Sequence, residues 1–450
     1  MFRSNANATE QLSHCLEAIE RWNPVVNAMV TVDREGALSA AKRCDEAART
    51  GRSLGLLHGV PIIIKDNIDT ANLRTTYGSL FFKEHIPEID AHVVRRLRAA
   101  GAVIVGKATM HEFAFGVRSD NPVIGQCRNP WDRLRIPGGS SGGSGVAIAT
   151  GMATLALGTD TGGSVRIPAA LNGITGLRPT FGRVSNSGTM PVSVTHDTVG
   201  PMARSAEEVA LLFSVIAGYD KSDPLSANYP IDNFLPRLHD GVRGLRVGRP
   251  RNHYFNQVDD CVATSLEHGI ETLSRLGAEI VDVDIPGAEE IHDWATKMIY
   301  SDACELHSER LTANADMWSA ATLERLQMGL EFTGVNYSRA MRRREIWCSK
   351  LTELWDQVDM LVSPTCPSVA PHVLEDRNLF EATRSVSRNT YAGAFGRIPG
   401  ISLPCGFSAE GLPIGMQLEA SSWSESILLR AGCAFQKATD WHLRRPFFSA

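Results

Sequence analysis

Residues 137–183 read PGGSSGGSGVAIATGMATLALGTDTGGSVRIPAALNGITGLRPTFGR. Two glycine-serine clusters stand in this stretch, Gly138-Gly139-Ser140-Ser141-Gly142-Gly143-Ser144 and Gly162-Gly163-Ser164. Glycines in such runs allow positive φ and a close approach of backbone to ligand, with amide N–H groups free to converge on an anion. The serine hydroxyls are candidate nucleophiles or proton carriers. A flexible linker would not carry Val146-Ala147-Ile148 and Leu155-Ala156-Leu157 between its glycines. The apolar spacing instead predicts a helix after the first cluster, a strand over Thr154–Gly158 and a helix after Ser164. That is the alternation of a layered α/β fold.

The alternation extends in both directions. Gly59-Val60-Pro61-Ile62-Ile63-Ile64-Lys65-Asp66-Asn67 has the continuous apolar character of a strand buried on both faces, ended by a lysine. Helices are expected from Thr9 to Trp22, where Asn23-Pro24 ends the pattern, and over Glu35–Arg49 and Asp90–Ala100, with strands at Val25–Val32 and Ala102–Val105. Further on, strands are expected at Leu245–Gly248, Glu279–Ile285, Met360–Ser363, Ile401–Pro404 and Ile414–Leu418. Helices are expected at Ala206–Ala217, Val258–Leu276 and Ser424–Lys437, and residues 289–355 read as mostly helical. No repeat and no Pro/Ser linker divides the chain, so residues 1–450 are expected to form one large domain.

Of the 450 residues, 43% are hydrophobic and 21% charged, the balance of a globular chain able to bury a large core. A formal charge of −5 gives no electrostatic footprint for nucleic acid. The densest basic run, Arg342-Arg343-Arg344, falls in a helical pattern and reads as a solvated face. The nine cysteines are scattered and include no C-x-x-C pair, which argues for reduced thiols and against a disulfide frame or structural zinc. Neither a signal-peptide core nor a membrane-length apolar run is present, so a cytoplasmic location is expected.

Three motif matches fail on their physical requirements. Gly101-Ala102-Val103-Ile104-Val105-Gly106-Lys107-Ala108 nearly spells a phosphate-binding loop, but Ala108 replaces the required hydroxyl and the interior is a strand. Gly139-Ser140-Ser141-Gly142-Gly143 matches a nucleophile elbow on Ser141, yet no buried strand precedes it. The histidines at 58, 85, 92, 111 and 196 show no metal-ligand spacing, and nothing selects one for a Ser-His-Asp triad. Serine with lysine remains. A lysine serves as base where burial lowers its pKa from about 10.4, and Lys65, at the end of an apolar strand, is the lysine placed for that; its alternative is a strand-end lysine reaching solvent.

Together the motifs resemble those of the amidase signature family. The likeness is carried by Gly59-Val60-Pro61 with Lys65-Asp66, by both glycine-serine clusters, and by Gly158-Thr159-Asp160-Thr161 leading into Val165-Arg166-Ile167-Pro168-Ala169. Met110-His111-Glu112-Phe113-Ala114, Gly176-Leu177-Arg178-Pro179, Asp197-Thr198-Val199-Gly200-Pro201-Met202 and Pro399–Gly406 add to it. The resemblance covers most of residues 10–220 and 358–437. It implies an α/β fold with a central mixed β-sheet covered by helices on both faces. The catalytic core would span about 55–220, a variable helical segment about 220–355, and the return to the core about 358–437.

The resemblance places the catalytic base on Lys65, a bridging serine on Ser140 after a cis peptide, and the nucleophile on Ser164. Lys65 would draw a proton from Ser140, and Ser140 from Ser164, as Ser164 attacks an amide carbonyl. Backbone N–H groups of Thr161, Gly162, Gly163 and Ser164 would hold the oxyanion. Asp160 and Arg166 would brace the loop by pairing, while Ser141 and Ser144 would hydrogen-bond within theirs, Ser141 doubling as a candidate helper. Met190, with Gly139 and the helices around residues 294–309, would line the substrate pocket.

The function this resemblance implies is amidohydrolysis of a carboxylic amide or ureide, with no cofactor and no metal. The implied partners are a small-molecule amide, no nucleic acid directly and no membrane, with a homodimer as the candidate assembly. The alternative is the A-subunit of an aminoacyl-tRNA amidotransferase, which makes ammonia from glutamine for partner subunits. Ile167 and a short C-terminus argue against that alternative. Cys127-Arg128-Asn129-Pro130 and Trp423-Ser424-Glu425-Ser426 resemble hydrolases of small ureido or carboxylated amides, such as those of the biuret pathway.

Overall fold

In the computed structural model, which describes residues 7–373 and 378–447, one sheet carries the chain. Its eleven strands are β1 (Met29–Val32), β2 (Pro61–Lys65), β3 (Val103–Ala108), β4 (Leu155–Asp160), β5 (Thr175–Arg178), β6 (Thr198–Ala203), β7 (Arg246–Pro250), β8 (Glu279–Val283), β9 (Met360–Pro364), β10 (Gly400–Phe407) and β11 (Pro413–Glu419). They lie in the order β1-β3-β2-β4-β6-β5-β10-β11-β9-β7-β8. The sheet is mixed. β2 pairs parallel with β3 and β4, and β7 with β8 and β9, while the remaining neighbours are antiparallel.

Strand β2 shows why its sequence is apolar throughout. Successive side chains point to opposite faces. Ile62 and Ile64 enter a core with Leu155, Leu157 and the helix Ala206–Ile216, whereas Ile63 enters a second core with Ala156, Val146 and the helix Ala8–Val26. Helices therefore cover both faces, and a strand facing two cores cannot alternate polar and apolar residues. A third cluster is built mostly from the helices Ile291–Leu306, Ala320–Leu330 and Gly334–Trp355, and it includes Phe113, Phe115 and Tyr391.

Three expectations need correction. The first helix runs on to Val26 with Pro24 inside its last turn, so the following strand shortens to Met29–Val32. Left-handed Asn27 (φ 56°) ends the helix, and its N–H reaches the Asn23 carbonyl while the Asn23 side chain accepts from Met29 N–H. The sequence pattern also misses β5 and β6, whose Gly176, Gly200 and Pro201 depress strand propensity. Packing demands those glycines: a Cβ on Gly200 would stand 2.3 Å from the Leu177 carbonyl oxygen, and one on Gly176 2.9 Å from Ala169 Cβ. No helix among the described residues is long and apolar enough to cross a membrane.

Candidate active site

Because β2 and β4 run parallel, Lys65 and the pair Thr159-Asp160 finish at the same sheet edge, the place where open α/β sheets put their ligands. The helix Gly142–Thr150 starts there, immediately after Ser140-Ser141. Lys65 is fully buried, and its Nζ lies 2.7 Å from Ser140 Oγ. It also meets Thr159 Oγ1 at 2.7 Å and the Thr159 carbonyl oxygen at 3.5 Å. No carboxylate among the described residues forms an ion pair with Lys65. Burial pushes its pKa down to about 7, against the pull of Asp197 and Asp160. The amine is thus substantially neutral near neutrality, as a base has to be.

The peptide Gly139–Ser140 is cis. Gly139 packs its Cα against Gly116–Val117, where a Cβ would fall 2.7 Å from the Val117 carbonyl carbon. The two glycine-serine clusters are tied by the Ser141 N–H, which donates to the Ser164 carbonyl at 3.2 Å. Ser164 lines a narrow cavity together with Phe115, Gly162, Arg325 and Tyr391. Its hydroxyl makes no hydrogen bond to Ser140 or to any other described residue, so the first link of the expected relay, Lys65 to Ser140, is formed and the second is open. Ser141 and Ser144 do not bond within their loop. Both reach β4, Ser141 Oγ to the Thr159 backbone at 3.2 Å and Ser144 Oγ to the Leu157 carbonyl at 2.9 Å.

The loop that presents Ser164 is held from below by a fully buried ion-pair group. Asp160 accepts from Arg166 Nε and Nη2 at 3.0 and 3.1 Å and from Arg178 Nη1 at 3.0 Å. Burial by itself would raise the Asp160 pKa, but Arg166 and Arg178 outweigh it and hold the carboxyl well below the usual range. Asp160 Oδ1 also accepts the Gly163 N–H at 2.8 Å. Gly163 therefore departs from its expected role. Its amide points down to the carboxylate, while the amides of Gly162 and Ser164 have no acceptor among the described residues. Gly162 must lack a side chain, since a Cβ would meet the Tyr391 ring at 2.5 Å, and Gly163 has φ +131°.

Several residues of this site had no role assigned from the sequence. Asp197, raised to about 6 chiefly by burial, accepts from Thr161 Oγ1 at 2.5 Å and from the amides of Val192 and Ser193. Thr390 Oγ1 donates to the Gly162 carbonyl at 2.6 Å. Arg325 is 2% exposed in the cavity wall, and its Nη1 donates to the Phe115 carbonyl and Thr383 Oγ1, both at 3.0 Å. Its guanidinium stacks 4.2 Å from the Phe115 ring centroid, its Nε has no partner, and among the described residues no carboxylate pairs with it. One signal for Arg325 was present in the sequence: it shares the buried face Thr322, Arg325, Leu326, Gly329, where a lone arginine is out of place. Met190 is not among the residues that line this cavity. Its backbone bonds Asn67, while Val192 and Ile299 line the wall. Nor do the Cys127–Pro130 and Trp423–Ser426 stretches line the cavity; Asn129 Nδ2 donates to the Ile136 and Leu171 carbonyls, and Trp423 stacks on Tyr229.

An Amidase family model matches residues 10–429. The chain belongs to the amidase family. It is 37% identical to the A-subunit of the glutamyl-tRNA(Gln) amidotransferase of Chloroflexus aurantiacus over 98% of this chain and 95% of that one, so the short C-terminus does not set it apart from that protein. Among solved structures, a peptide amidase in complex with the competitive inhibitor chymostatin superposes with a TM-score of 0.88 at 30% identity, covering 98% of this chain and 96% of the other. A chain from a vestigial protein complex, described for the origins of an s-triazine catabolic enzyme, superposes with a TM-score of 0.91 at 32% identity, covering 96% and 95%. This amidase is a hydrolase of carbon–nitrogen bonds.

Proposed function

We propose that this amidase releases ammonia from a small amide or ureide that carries a carboxylate, through an acyl-enzyme on Ser164. Lys65 takes the proton of Ser140, Ser140 takes that of Ser164, and the Ser164 Oγ adds to the carbonyl carbon. The amides of Gly162 and Ser164 receive the oxyanion. Ser140 then passes a proton to the leaving nitrogen, and water, entering by the same relay, cleaves the ester. Thr161 is braced by Asp197, and Asp160 with Arg166 fixes the turn between them.

Arg325 carries the substrate assignment. A buried guanidinium with unused donors and no carboxylate partner is costly unless an anion completes it, and this one borders the cavity that Ser164 lines. A planar fork of this kind suits a carboxylate in two-point contact. Replacing Arg325 with methionine is expected to lower kcat/KM for a carboxylated amide by about 10²- to 10³-fold, the cost of leaving a buried charge unpaired. The amide lacking the carboxylate should lose far less, so equal losses on both would overturn the assignment.

A second reading has its own support. Glutamine is itself a carboxylated primary amide, and the curated relatives are A-subunits of amidotransferases. Ammonia release from glutamine, malonamate and ureido acids by the purified chain separates the two. Turnover of a short acid by the chain alone favours the free-standing enzyme. Inactivity alone, with glutaminase activity appearing in a co-purified complex, favours the amidotransferase component.

In either case kcat/KM should rise with pH along a single acid limb near 7. The sign follows from the base: Lys65 works only when neutral, its burial-lowered pKa is about 7, and the neutral fraction grows as pH rises. A rate profile flat between pH 5.5 and 8.5 would rule out Lys65 as that base.

A further inference from the structure

We propose that Thr159 is a positioning residue that aims the lone pair of Lys65 at Ser140 and completes the acceptor set of the ammonium formed when Lys65 takes the proton. The inference rests on Lys65 acting as the base. A neutral primary amine has two N–H donors and one lone pair. Three oxygens surround Nζ: Ser140 Oγ at 2.7 Å, Thr159 Oγ1 at 2.7 Å and the Thr159 carbonyl oxygen at 3.5 Å. The carbonyl can only accept, so it takes one N–H. With the second N–H on Thr159 Oγ1, the lone pair is left facing the Ser140 hydroxyl. One residue thereby occupies both donors of the amine and leaves it a single direction from which to receive a proton.

Asn67 keeps Thr159 in that role. Its Nδ2 donates to the Met190 carbonyl at 3.1 Å and to Thr159 Oγ1 at 3.2 Å, so that hydroxyl oxygen accepts from both neighbours. Once the proton has moved, the ammonium has three N–H groups and three oxygens to receive them, two of which belong to Thr159. Asp160 and Asp197 are committed elsewhere, to Arg166, Arg178 and Gly163 and to Thr161, Val192 and Ser193. The amine thus has no carboxylate contact in either state, and only the ammonium, with its third N–H, uses all three oxygens as acceptors; that added hydrogen bond favours the charged form where it is needed.

The test is the rate at which an alkyl fluorophosphonate modifies the protein, followed by mass spectrometry across pH, since this reports serine activation without a known substrate. Thr159→Val keeps the shape and removes the hydroxyl. It is expected to slow labelling about 10²-fold and to move the acid limb to lower pH, because the ammonium loses an acceptor. Thr159→Ser should restore the rate to within about threefold and the limb to its wild-type position. Asn67→Leu, which leaves Lys65 and Thr159 untouched, should shift the limb the same way with a smaller rate loss. Wild-type rate and limb in Thr159→Val, or failure of Thr159→Ser to rescue, would overturn the proposal; if Thr159→Val does not fold, an unmoved limb in Asn67→Leu does so. Ser164→Ala and Lys65→Ala separate this from the reading beneath it. If either is still labelled as the wild type is, the catalytic assignment itself falls, whereas loss of label in both with an unchanged Thr159→Val removes only the role of Thr159.

Discussion

Ser164→Ala is expected to lower kcat by at least about 10⁴-fold while leaving the unfolding midpoint within about a degree, since it removes the attacking atom and touches little else. Lys65→Ala and Ser140→Ala should fall to comparable levels, because groups that act as one relay are not additive. Adding Ser164→Ala to either should cost little more. Ser141→Ala gives the contrast. Its hydroxyl is held by the Thr159 backbone, so the expected loss is within about tenfold and appears in stability as much as in rate. Fluorophosphonate modification of the wild type should fall on Ser164 and vanish in Lys65→Ala; modification of Ser141 instead would discard the assignment.

The second large effect concerns stability. Asp160→Asn leaves Arg166 and Arg178 buried without their shared carboxylate, and breaking such a pair typically costs about 3–5 kcal/mol. Denaturant unfolding at pH 7 should show that loss. Below pH 4 it should shrink, because a carboxyl whose folded pKa is depressed contributes stability above its unfolded pKa of 3.8 and loses it as pH falls further. Glu419 behaves in the opposite sense. It lies 3.3 Å from Arg166 Nη1, yet burial, only partly offset by Arg166, raises its pKa to about 7. The folded protein then binds more protons than the unfolded chain between pH 4.5 and 7, so this contribution is full below that window and lost as pH rises through it. Glu419→Gln mimics the protonated form. It should cost far less than Asp160→Asn and should flatten the stability profile between pH 5 and 7. Equal losses from both variants at pH 7 would show that Asp160 is not the anchor of this group.

Local sequence is a good guide where one element by itself sets the environment. The run Pro61–Lys65 reads as a strand facing two cores, and it is one; the run leaves open whether its terminal lysine reaches solvent or stays inside, and the packing buries it. The glycines at 162 and 163 were readable as backbone that must come close to something. What they approach was not: Gly162 is packed by the Tyr391 ring, and Gly163 turns its amide to Asp160. An amide's direction depends on which side chain arrives beneath it, and Asp160 is fixed there by Arg178 from a strand that the pattern missed. Met190 shows the same dependence on packing. It sits in the right loop, but hydrogen bonds from its backbone to Asn67 place Val192 at the wall instead.

The sequence by itself determined the α/β alternation and the two glycine-serine turns, because each is written in a short segment whose periodicity or backbone freedom is local; the roles of base, bridge and nucleophile came from the resemblance of its motifs to the amidase signature family. The tertiary structure alone decided which loop amide is taken by Asp160, what holds the Lys65 amine and where Arg325 stands. The last two depend on contacts between segments 94 to 210 residues apart, as in Thr159 against Lys65 and Arg325 against Phe115. No local pattern encodes the burial that lowers a lysine or leaves an arginine without a counter-ion; only the packed sheet and its helices supply it.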